Sequence, residues 1–246
     1  MSLRIIGFGP GSEGAMTADA TAAIKASEII VGYTGYIKYV DYLNPSAELI
    51  STGMKGEKDR CRIAIKQALK GKEVCIVSSG DAGVYGMASL IYEMSAAYPQ
   101  LEIEIIPGVT AALSCAAILG SPISGDFACI SLSDLLTPWG LIEKRLRGAA
   151  MGDFVIAIYN PTSRTRYANL PKACDILMEY KPAVCLCGIV KNAYRAKQEE
   201  LFCTLEELKQ AQVDMFTTIL IGSENTSMIN GKMVTARGYN IEGDSI

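Results

Sequence analysis

The sequence predicts an α/β fold made of two α/β domains. Short apolar runs alternate along the chain with longer stretches of helical character, which is typical of largely parallel sheets. The chain has 246 residues, half of them hydrophobic, which is enough for one large domain or two smaller ones. Glycine, proline and serine gather at residues 120–126, so we expect domains at 1–119 and 120–246.

The first half is expected to form a mostly parallel sheet, because apolar runs and helical stretches alternate there. The predicted strands are residues 3–8, 28–31, 48–50, 73–77 and 102–106. The predicted helices are residues 17–27, 58–69, 88–97 and 111–119.

The second half is expected to form a mixed sheet, because predicted strands adjoin one another near the C-terminus. The predicted strands are residues 127–132, 154–159, 183–190, 200–203 and 216–221. The predicted helices are residues 141–147, 170–179 and 205–210.

Composition limits the classes of function. The net charge of −3 argues against binding along a nucleic-acid backbone. No apolar run approaches the ~20 residues of a membrane span, and residues 1–4 lead straight into a strand, so we expect a cytoplasmic protein without membrane contact.

The eight cysteines lie mostly in apolar runs, where reduced thiols pack as small hydrophobes. With no histidine and no CxxC pair, we expect no metal site.

The stretch GFGPGSEG, residues 7–14, follows the first predicted strand and contains a literal GxGxxG. A dinucleotide site also needs an acidic residue roughly 20 positions on, at the end of the next strand. That strand instead ends in VGYTG, residues 31–35, and Pro10 removes a backbone donor from the loop. Taken alone, the stretch is explained by a tight strand-to-helix turn with Thr17 as the helix N-cap. A nucleotide- or NAD-binding enzyme stays the more distant alternative.

Three further strand ends carry loops of small and polar residues. They read VSSGDAGVYGMA (77–88), IIPGVTAALSCAA (105–117) and IAIYNPTSRTR (156–166). Ligands of α/β sheets gather at the carboxyl ends of strands. Each loop taken alone is explained by residues that commonly form turns. The order in which these loops occur along the chain is stronger evidence of a function than any one of them.

In that order the loops resemble the tetrapyrrole methylase family, the S-adenosylmethionine-dependent methyltransferases of corrin and sirohaem synthesis, over about residues 3–234. The matching motifs are GFGPG at 7–11, Gly80-Asp81, PGVTA at 107–111 and Tyr159-Asn160. Ala82, where many members have proline, and SEGAMT at 12–17 depart from the general pattern. Both variants resemble the branch that methylates carbon 17 of precorrin-3B or cobalt-factor III and contracts the ring. The segments STGMKGEKDRCRIAI, CGIVKNAYR and MFTTILIGSENT are also similar to that branch.

The resemblance implies a homodimer that binds S-adenosylmethionine in a cleft between two domains and releases S-adenosylhomocysteine. No catalytic acid or base is assigned. The cofactor-binding residues that it implies are Gly80, Asp81, Val84, Thr110, Ala111, Tyr159, Asn160, Gly188, Val190, Thr217 and Thr218.

The acceptor implied by the resemblance is a flat macrocycle with carboxylate arms, which calls for cations around an apolar cleft. The candidates for acceptor binding are Lys55, Arg60, Arg164 and Arg166, with Pro10 on the cleft wall. For each of these charges the alternative is ordinary solvated surface.

The chemistry is consistent with a chain that has no histidine. A sulfonium methyl donor is already electrophilic, so the protein chiefly orients the acceptor carbon and excludes water, which contributes up to ~7–11 kcal/mol. We expect the substrate itself to supply the reactivity for ring contraction. A sister methylase acting on carbon 11 or 20, and a binding module without catalysis, stay open as alternatives.

Overall fold

The structure is a computed structural model, and it describes residues 1–163 and 166–240. The chain divides into two units, Met1–Ala111 and Ala112–Ile246, and each contains both helices and strands. This confirms the predicted α/β fold class, whereas the division into domains 1–119 and 120–246 stays a prediction. Within the described ranges, no helix has the length and apolar character needed to cross a bilayer.

The first unit holds one fully parallel sheet, which confirms the expectation of a mostly parallel sheet. Its strands are β1 (Ser2–Gly7), β2 (Ile29–Tyr33), β3 (Glu48–Thr52), β4 (Val74–Ser78) and β5 (Glu102–Ile106). They lie in the order β3-β2-β4-β1-β5. The helices of this unit are α1 (Ala18–Lys25), α2 (Thr34–Ile37), α3 (Glu57–Ala68) and α4 (Ala88–Ser95).

Side chains alternate between the two faces of this sheet, and both faces are buried. Leu3 and Ile5 of β1 pack on the face covered by α3 and α4. Ile6 and the following Phe8 pack on the opposite face, against α1. Helix α1 starts where the sequence predicts, because the Thr17 side chain accepts a hydrogen bond from the Ala20 amide at 3.2 Å.

The second unit holds a mixed five-stranded sheet and a small three-stranded sheet. Its strands are β6 (Gly120–Ser121), β7 (Phe127–Ser131), β8 (Val155–Tyr159), β9 (Leu186–Lys191), β10 (Glu199–Thr204), β11 (Thr217–Ile221), β12 (Thr226–Ile229) and β13 (Lys232–Thr235). The larger sheet has the order β10-β9-β11-β8-β7, in which β7 and β8 are parallel and the other pairs antiparallel. This confirms the predicted mixed sheet.

Strand β6 and the β12–β13 hairpin are not predicted from the sequence. A two-residue turn, Asn230-Gly231, joins the two strands of the hairpin with positive φ at both positions. Asn-Gly is the preferred sequence for such a turn, so the signal was present but its flanking strands are short and weakly apolar.

The remaining helices cover both faces of the mixed sheet. They are α5 (Ala111–Leu119), α6 (Trp139–Met151), α7 (Asn169–Leu177) and α8 (Leu205–Leu208). Helix α5 packs on one face, against Ala157, Val190 and Leu220. Helices α6, α7 and α8 pack on the other face. Helix α6 is longer than predicted, because buried Ala149 and Ala150 continue its packing past the expected end.

Candidate functional site

Three loops meet at the carboxyl edge of the parallel sheet. They follow β4, β1 and β5, which are neighbours in the sheet. Gly9 and Gly80 form a two-way backbone bridge, with N···O distances of 3.0 and 2.8 Å. The Thr17 hydroxyl donates to the carbonyl of Pro107 at 3.3 Å, which ties the start of α1 to the turn after β5. The glycine-rich stretch at residues 7–14 is therefore part of an interlocked set of loops.

The Asp81 carboxylate holds two of these loops together. Its Oδ1 accepts hydrogen bonds from the amides of Gly83 at 2.8 Å and Val84 at 3.1 Å. Its Oδ2 accepts one from the Gly108 amide at 3.0 Å. Hydrogen bonds to an ionised acceptor are stronger than neutral ones. Asp81 therefore fixes loop geometry, and its two oxygens are already engaged by backbone donors.

Glycine is required at Gly7 and Gly108, which belong to the matching sequence motifs but were not among the predicted binding residues. A Cβ on Gly108 would lie 2.3 Å from the carbonyl oxygens of both Gly7 and Gly80. A Cβ on Gly7 would lie 2.7 Å from the Gly80 oxygen. Each glycine stands at or just past the end of a strand, which is the signal that could have identified it.

The predicted cofactor residues of the first unit lie in these loops. Gly80 has φ +71°, which favours glycine, and its Cβ position would lie 3.6 Å from the Thr110 Cα and 3.7 Å from the Ala111 amide. Val84 follows in the same loop as Asp81 and is exposed. The structure thus brings Gly80, Asp81, Thr110 and Ala111 together. Their contact with a cofactor stays a prediction.

Pro10, predicted to face the acceptor, is buried beside the Gly9–Gly80 bridge. It follows Gly9, whose φ of +74° places a hypothetical Cβ 2.7 Å from the Ala15 carbonyl oxygen. Its contact with an acceptor stays a prediction.

Tyr159 is the last residue of β8 in the second unit, next to the end of parallel β7, and Asn160 follows it directly. The Tyr159 hydroxyl accepts a hydrogen bond from the Ala112 amide at 2.8 Å, which satisfies one free donor in the first turn of α5. Asn160 has φ +50°, and its side-chain amide donates to the Ser131 hydroxyl at 3.0 Å. Both predicted residues therefore fix local geometry at this strand end.

The other predicted cofactor residues of the second unit are buried. A Cβ on Gly188 would lie 2.6 Å from the Leu119 side chain, and Val190 packs with α5 on the same face. The Thr217 hydroxyl lies 3.2 Å from both the Asp214 amide and its carboxylate. Thr218 is also buried. As cofactor contacts these four residues stay predictions.

Two of the predicted acceptor-binding arginines are held by partners within the chain. Arg60 is 5% exposed, and its Nη1 donates to Thr52 Oγ1 at 2.7 Å. Arg166 donates from Nη1 to Ser133 Oγ at 3.0 Å and from Nε to Ser163 Oγ at 3.1 Å. Lys55 is exposed. Predicted Arg164 lies outside the described residues.

The cysteines are free thiols, and most are buried. Burial raises the pKa of Cys61 and Cys75 to about 11 and that of Cys115 to about 12. Such thiols stay protonated at neutral pH and are poor nucleophiles. Among residues 1–163 and 166–240, no three His, Cys, Asp or Glu side chains are grouped to hold a metal ion.

Most of the chain matches the model of one protein family. Residues 2–209 match the family described as Tetrapyrrole (Corrin/Porphyrin) Methylases. The chain belongs to the tetrapyrrole methylase family. In this methylase the Gly80-Asp81 pair follows β4 and the Tyr159-Asn160 pair lies at the end of β8, so both motifs stand at strand ends as the sequence predicts.

Two curated relatives match this methylase over nearly its whole length. The probable cobalt-factor III C(17)-methyltransferase of Salmonella typhimurium is 45% identical over 240 residues, which cover 97% of this chain and 100% of that protein. The precorrin-3B C(17)-methyltransferase of Sinorhizobium sp is 38% identical over 234 residues, which cover 93% of this chain and 91% of that protein.

Solved structures of methyltransferases share the fold. The crystal structure of the methyltransferase CobJ matches with a TM-score of 0.89 and 36% identity, over 95% of this chain and 99% of that one. The uroporphyrin-III C-methyl transferase of Thermus thermophilus, solved with S-adenyl homocysteine, matches with a TM-score of 0.72 and 20% identity, over 90% and 92% of the two chains. At that identity the second match shows the fold alone.

Proposed function

We propose that this methylase transfers a methyl group from S-adenosylmethionine to carbon 17 of a tetrapyrrole in cobalamin biosynthesis, with associated ring contraction. The observation that carries the proposal is the 45% identity to a cobalt-factor III C(17)-methyltransferase over the full length of that relative. The branch-specific segments of the sequence, among them STGMKGEKDRCRIAI, support the same assignment.

We propose cobalt-factor III as the acceptor, in preference to precorrin-3B. The relative named for cobalt-factor III is 45% identical, and the relative named for precorrin-3B is 38% identical. Methylation at carbon 11 or 20 has no comparable support among these relatives.

The proposed cofactor site is the set of loops that joins Gly80-Asp81 to the Gly108 turn. When bound, S-adenosylmethionine supplies an electrophilic methyl group on a sulfonium. The oxygens of Asp81 accept three amide hydrogen bonds, so we assign it the role of holding the loop geometry. The second-unit residues Tyr159, Asn160, Gly188, Val190, Thr217 and Thr218 are kept as proposed contacts.

The chain's contribution to the reaction is orientation and exclusion of water. The new bond forms between the acceptor carbon, which supplies the electron pair, and the methyl carbon. When bound, S-adenosylmethionine would supply the methyl group and would leave as a neutral thioether that keeps the electron pair of the carbon–sulfur bond. The Gly9–Gly80 bridge joins two of these loops through two backbone hydrogen bonds, which suits a reaction whose gain depends on a fixed approach of the two reacting atoms.

The proposed activity is tested by anaerobic incubation of the full chain with S-adenosylmethionine labelled in the methyl group. Cobalt-factor III and precorrin-3B are supplied in parallel. We expect label to enter cobalt-factor III with a kcat/KM at least tenfold above that for precorrin-3B. Label transfer to precorrin-3B alone would overturn the choice of acceptor, and no transfer to either would overturn the proposed function.

We also propose that the protein acts in the cytoplasm as a homodimer, as the family resemblance implies. Light scattering on the full chain during size-exclusion chromatography tests the second part. A mass twice that of the chain is expected, and a monomer at micromolar concentration would contradict it.

A further inference from the structure

The loop between β3 and α3 holds a lysine in a conformation that favours glycine. The Gly56 amide donates to the Gly53 carbonyl at 3.3 Å, which closes a four-residue turn with Met54 and Lys55 at its tip. Lys55 has φ +66°, where an ordinary side chain crowds the following carbonyl. Glycine would relieve this strain, and Lys55 is one of eight described non-glycine residues with positive φ. Strained backbone of this kind is concentrated at functional sites, which makes the Lys55 side chain a candidate for a functional contact.

The buried side chain of Arg60 holds this turn in place. Arg60 Nη1 donates to Thr52 Oγ1 at 2.7 Å and to the Gly53 carbonyl at 3.0 Å. Its Nη2 lies 3.4 Å from Glu57 Oε1, and its guanidinium carbon lies 5.8 Å from the centre of the Tyr33 ring. Burying a charge is costly, and the fork shape of arginine lets one group hold both the strand end and the turn.

The strand before the turn has a second anchor. The Thr34 hydroxyl donates to the Thr52 carbonyl at 3.1 Å and lies 3.2 Å from the Ser51 hydroxyl. Both ends of the turn are therefore held, and the position of the Lys55 backbone is set by fixed partners.

The Lys55 side chain is exposed and makes no ion pair with the part of the chain that the structure describes. Nearby Arg62 differs, because it pairs with Asp59 on the surface of α3. Lys72 likewise pairs with Glu28. Lys55 therefore combines a strained, fixed backbone with an ammonium group that is available to an anion.

The turn lies at the same sheet edge as the Gly80-Asp81 loop, but at a distance from it. Strand β3 is two strands away from β4. Adjacent strands lie about 4.8 Å apart, so the two loops start roughly 10 Å apart. That separation is too long for contact with the atoms that react and suits contact with the rim of a large acceptor.

We propose that Lys55 binds a carboxylate on the rim of the acceptor and that Arg60 is the positioning residue that holds the Lys55 turn. This inference rests on the proposed function, because it takes the acceptor to be a macrocycle with carboxylate arms. Its ligand class is a carboxylate side chain of that macrocycle, and not the carboxylate of the methyl donor.

The test compares three variants with the unmodified chain: Lys55→Gln, Lys55→Gly and Arg60→Lys. We expect each to raise the KM for cobalt-factor III about tenfold, with kcat changed less than twofold and the Kd of S-adenosylhomocysteine unchanged. Loss of one charge-assisted contact has this size. Lys55→Gly should also raise the Tm, because it removes the strained side chain. Lys70→Gln, at an exposed lysine just past the C-terminal end of α3, is the matched control and should leave all values unchanged.

A double variant separates positioning from simple loss of structure. If Arg60 acts through Lys55, Arg60→Lys adds nothing to the KM once Lys55→Gln is present. Multiplied effects on the KM would overturn the positioning role. An unchanged KM in Lys55→Gln, or a weakened Kd for S-adenosylhomocysteine, would overturn the carboxylate site.

The Kd of cobalt-factor III can also be measured directly from its absorbance change on binding, with S-adenosylhomocysteine present so that no turnover occurs. This compares acceptor binding by the variants and the unmodified chain. Weaker acceptor binding by Lys55→Gln supports the inference even if turnover is absent. Absence of methyl transfer by the unmodified chain bears on the proposed function instead.

Discussion

Asp81 and Gly108, which stand 27 residues apart in the sequence, are joined by a hydrogen bond of 3.0 Å between the carboxylate and the backbone amide. The bond fastens the turn after β5 to the loop after β4. Gly108 also packs so closely on Gly7 and Gly80 that its position leaves no room for a Cβ. The carboxyl edge of the first sheet is therefore a single interlocked structure, and the predictions for it follow from that.

Replacing Asp81 by asparagine should loosen this edge. The asparagine side chain cannot accept hydrogen bonds from all three backbone N–H groups. One of the two carboxylate oxygens is replaced by an NH₂ group, which is itself a donor and would face a backbone N–H. We expect the free energy of unfolding to fall by about 2 kcal/mol and the Kd of S-adenosylhomocysteine to rise about tenfold. Urea unfolding and calorimetry measure the two values. Asp126→Asn, at an exposed carboxylate, is the control, and a wild-type Kd in Asp81→Asn would contradict the assignment.

Gly108→Ala should be among the most damaging small substitutions in the chain. Its Cβ would lie 2.3 Å from two carbonyl oxygens, so the backbone itself must move. We expect a loss of at least about 3 kcal/mol in the free energy of unfolding. Gly14→Ala, where a Cβ meets nothing within 4 Å, should change it by less than about 0.5 kcal/mol. Equal values for the two variants would refute the close packing.

Tyr159→Phe should leave the Ala112 amide without its partner. Ala112 is fully buried, so water cannot readily replace the lost hydroxyl. An unpaired buried donor costs about 1–3 kcal/mol, which chemical unfolding detects. Tyr167→Phe, at a tyrosine that is 76% exposed, should have no measurable effect. If both variants are equally stable, the hydroxyl does not hold the start of α5.

Buried thiols should make the protein less stable at alkaline pH. Burial raises the pKa of Cys75 to about 11 from the ordinary value of 9.0, so above pH 9 the unfolded chain loses this proton first. The stabilisation is fully present below pH 9 and is lost as the pH rises toward 11. The free energy of unfolding is measured at pH 8 and at pH 10 for both proteins. Its decrease between the two pH values should be about 1 kcal/mol smaller in Cys75→Ala than in the unmodified chain.

The control for this titration is Ile76→Val, at a neighbouring residue that is also fully buried but does not ionise. Its difference in unfolding free energy from the unmodified chain should be the same at pH 8 and pH 10. A pH-independent difference for Cys75→Ala as well would show that the thiol does not titrate as its burial requires.

Much of the fold could be predicted from local patterns. Strand β4 is buried along its whole length and β1 along most of it. Apart from Ser2, Arg4 and Ser78 their residues are small or apolar, so both runs are easy to recognise as strands. The N-cap at Thr17 was predicted correctly because its signal is local. The β12–β13 hairpin was missed because its strands lie largely at the surface and show little apolar periodicity.

The candidate site was only partly predictable. Motifs identified Gly80 and Asp81, but the role of the Asp81 carboxylate depends on Gly108, a partner distant in sequence. Arg60 and Arg166 were predicted as cations open to an acceptor. Their partners include the Gly53 carbonyl and the Ser133 hydroxyl, which carry no sequence signature of an arginine contact.

The most direct test of the central proposal is the position of the new methyl group. The full chain, cobalt-factor III and S-adenosylmethionine with a carbon-13 methyl are combined without oxygen, and the product is analysed by carbon-13 NMR. We predict a single enriched methyl group on carbon 17. An enriched methyl on carbon 11 or carbon 20, or no enriched product, would contradict it.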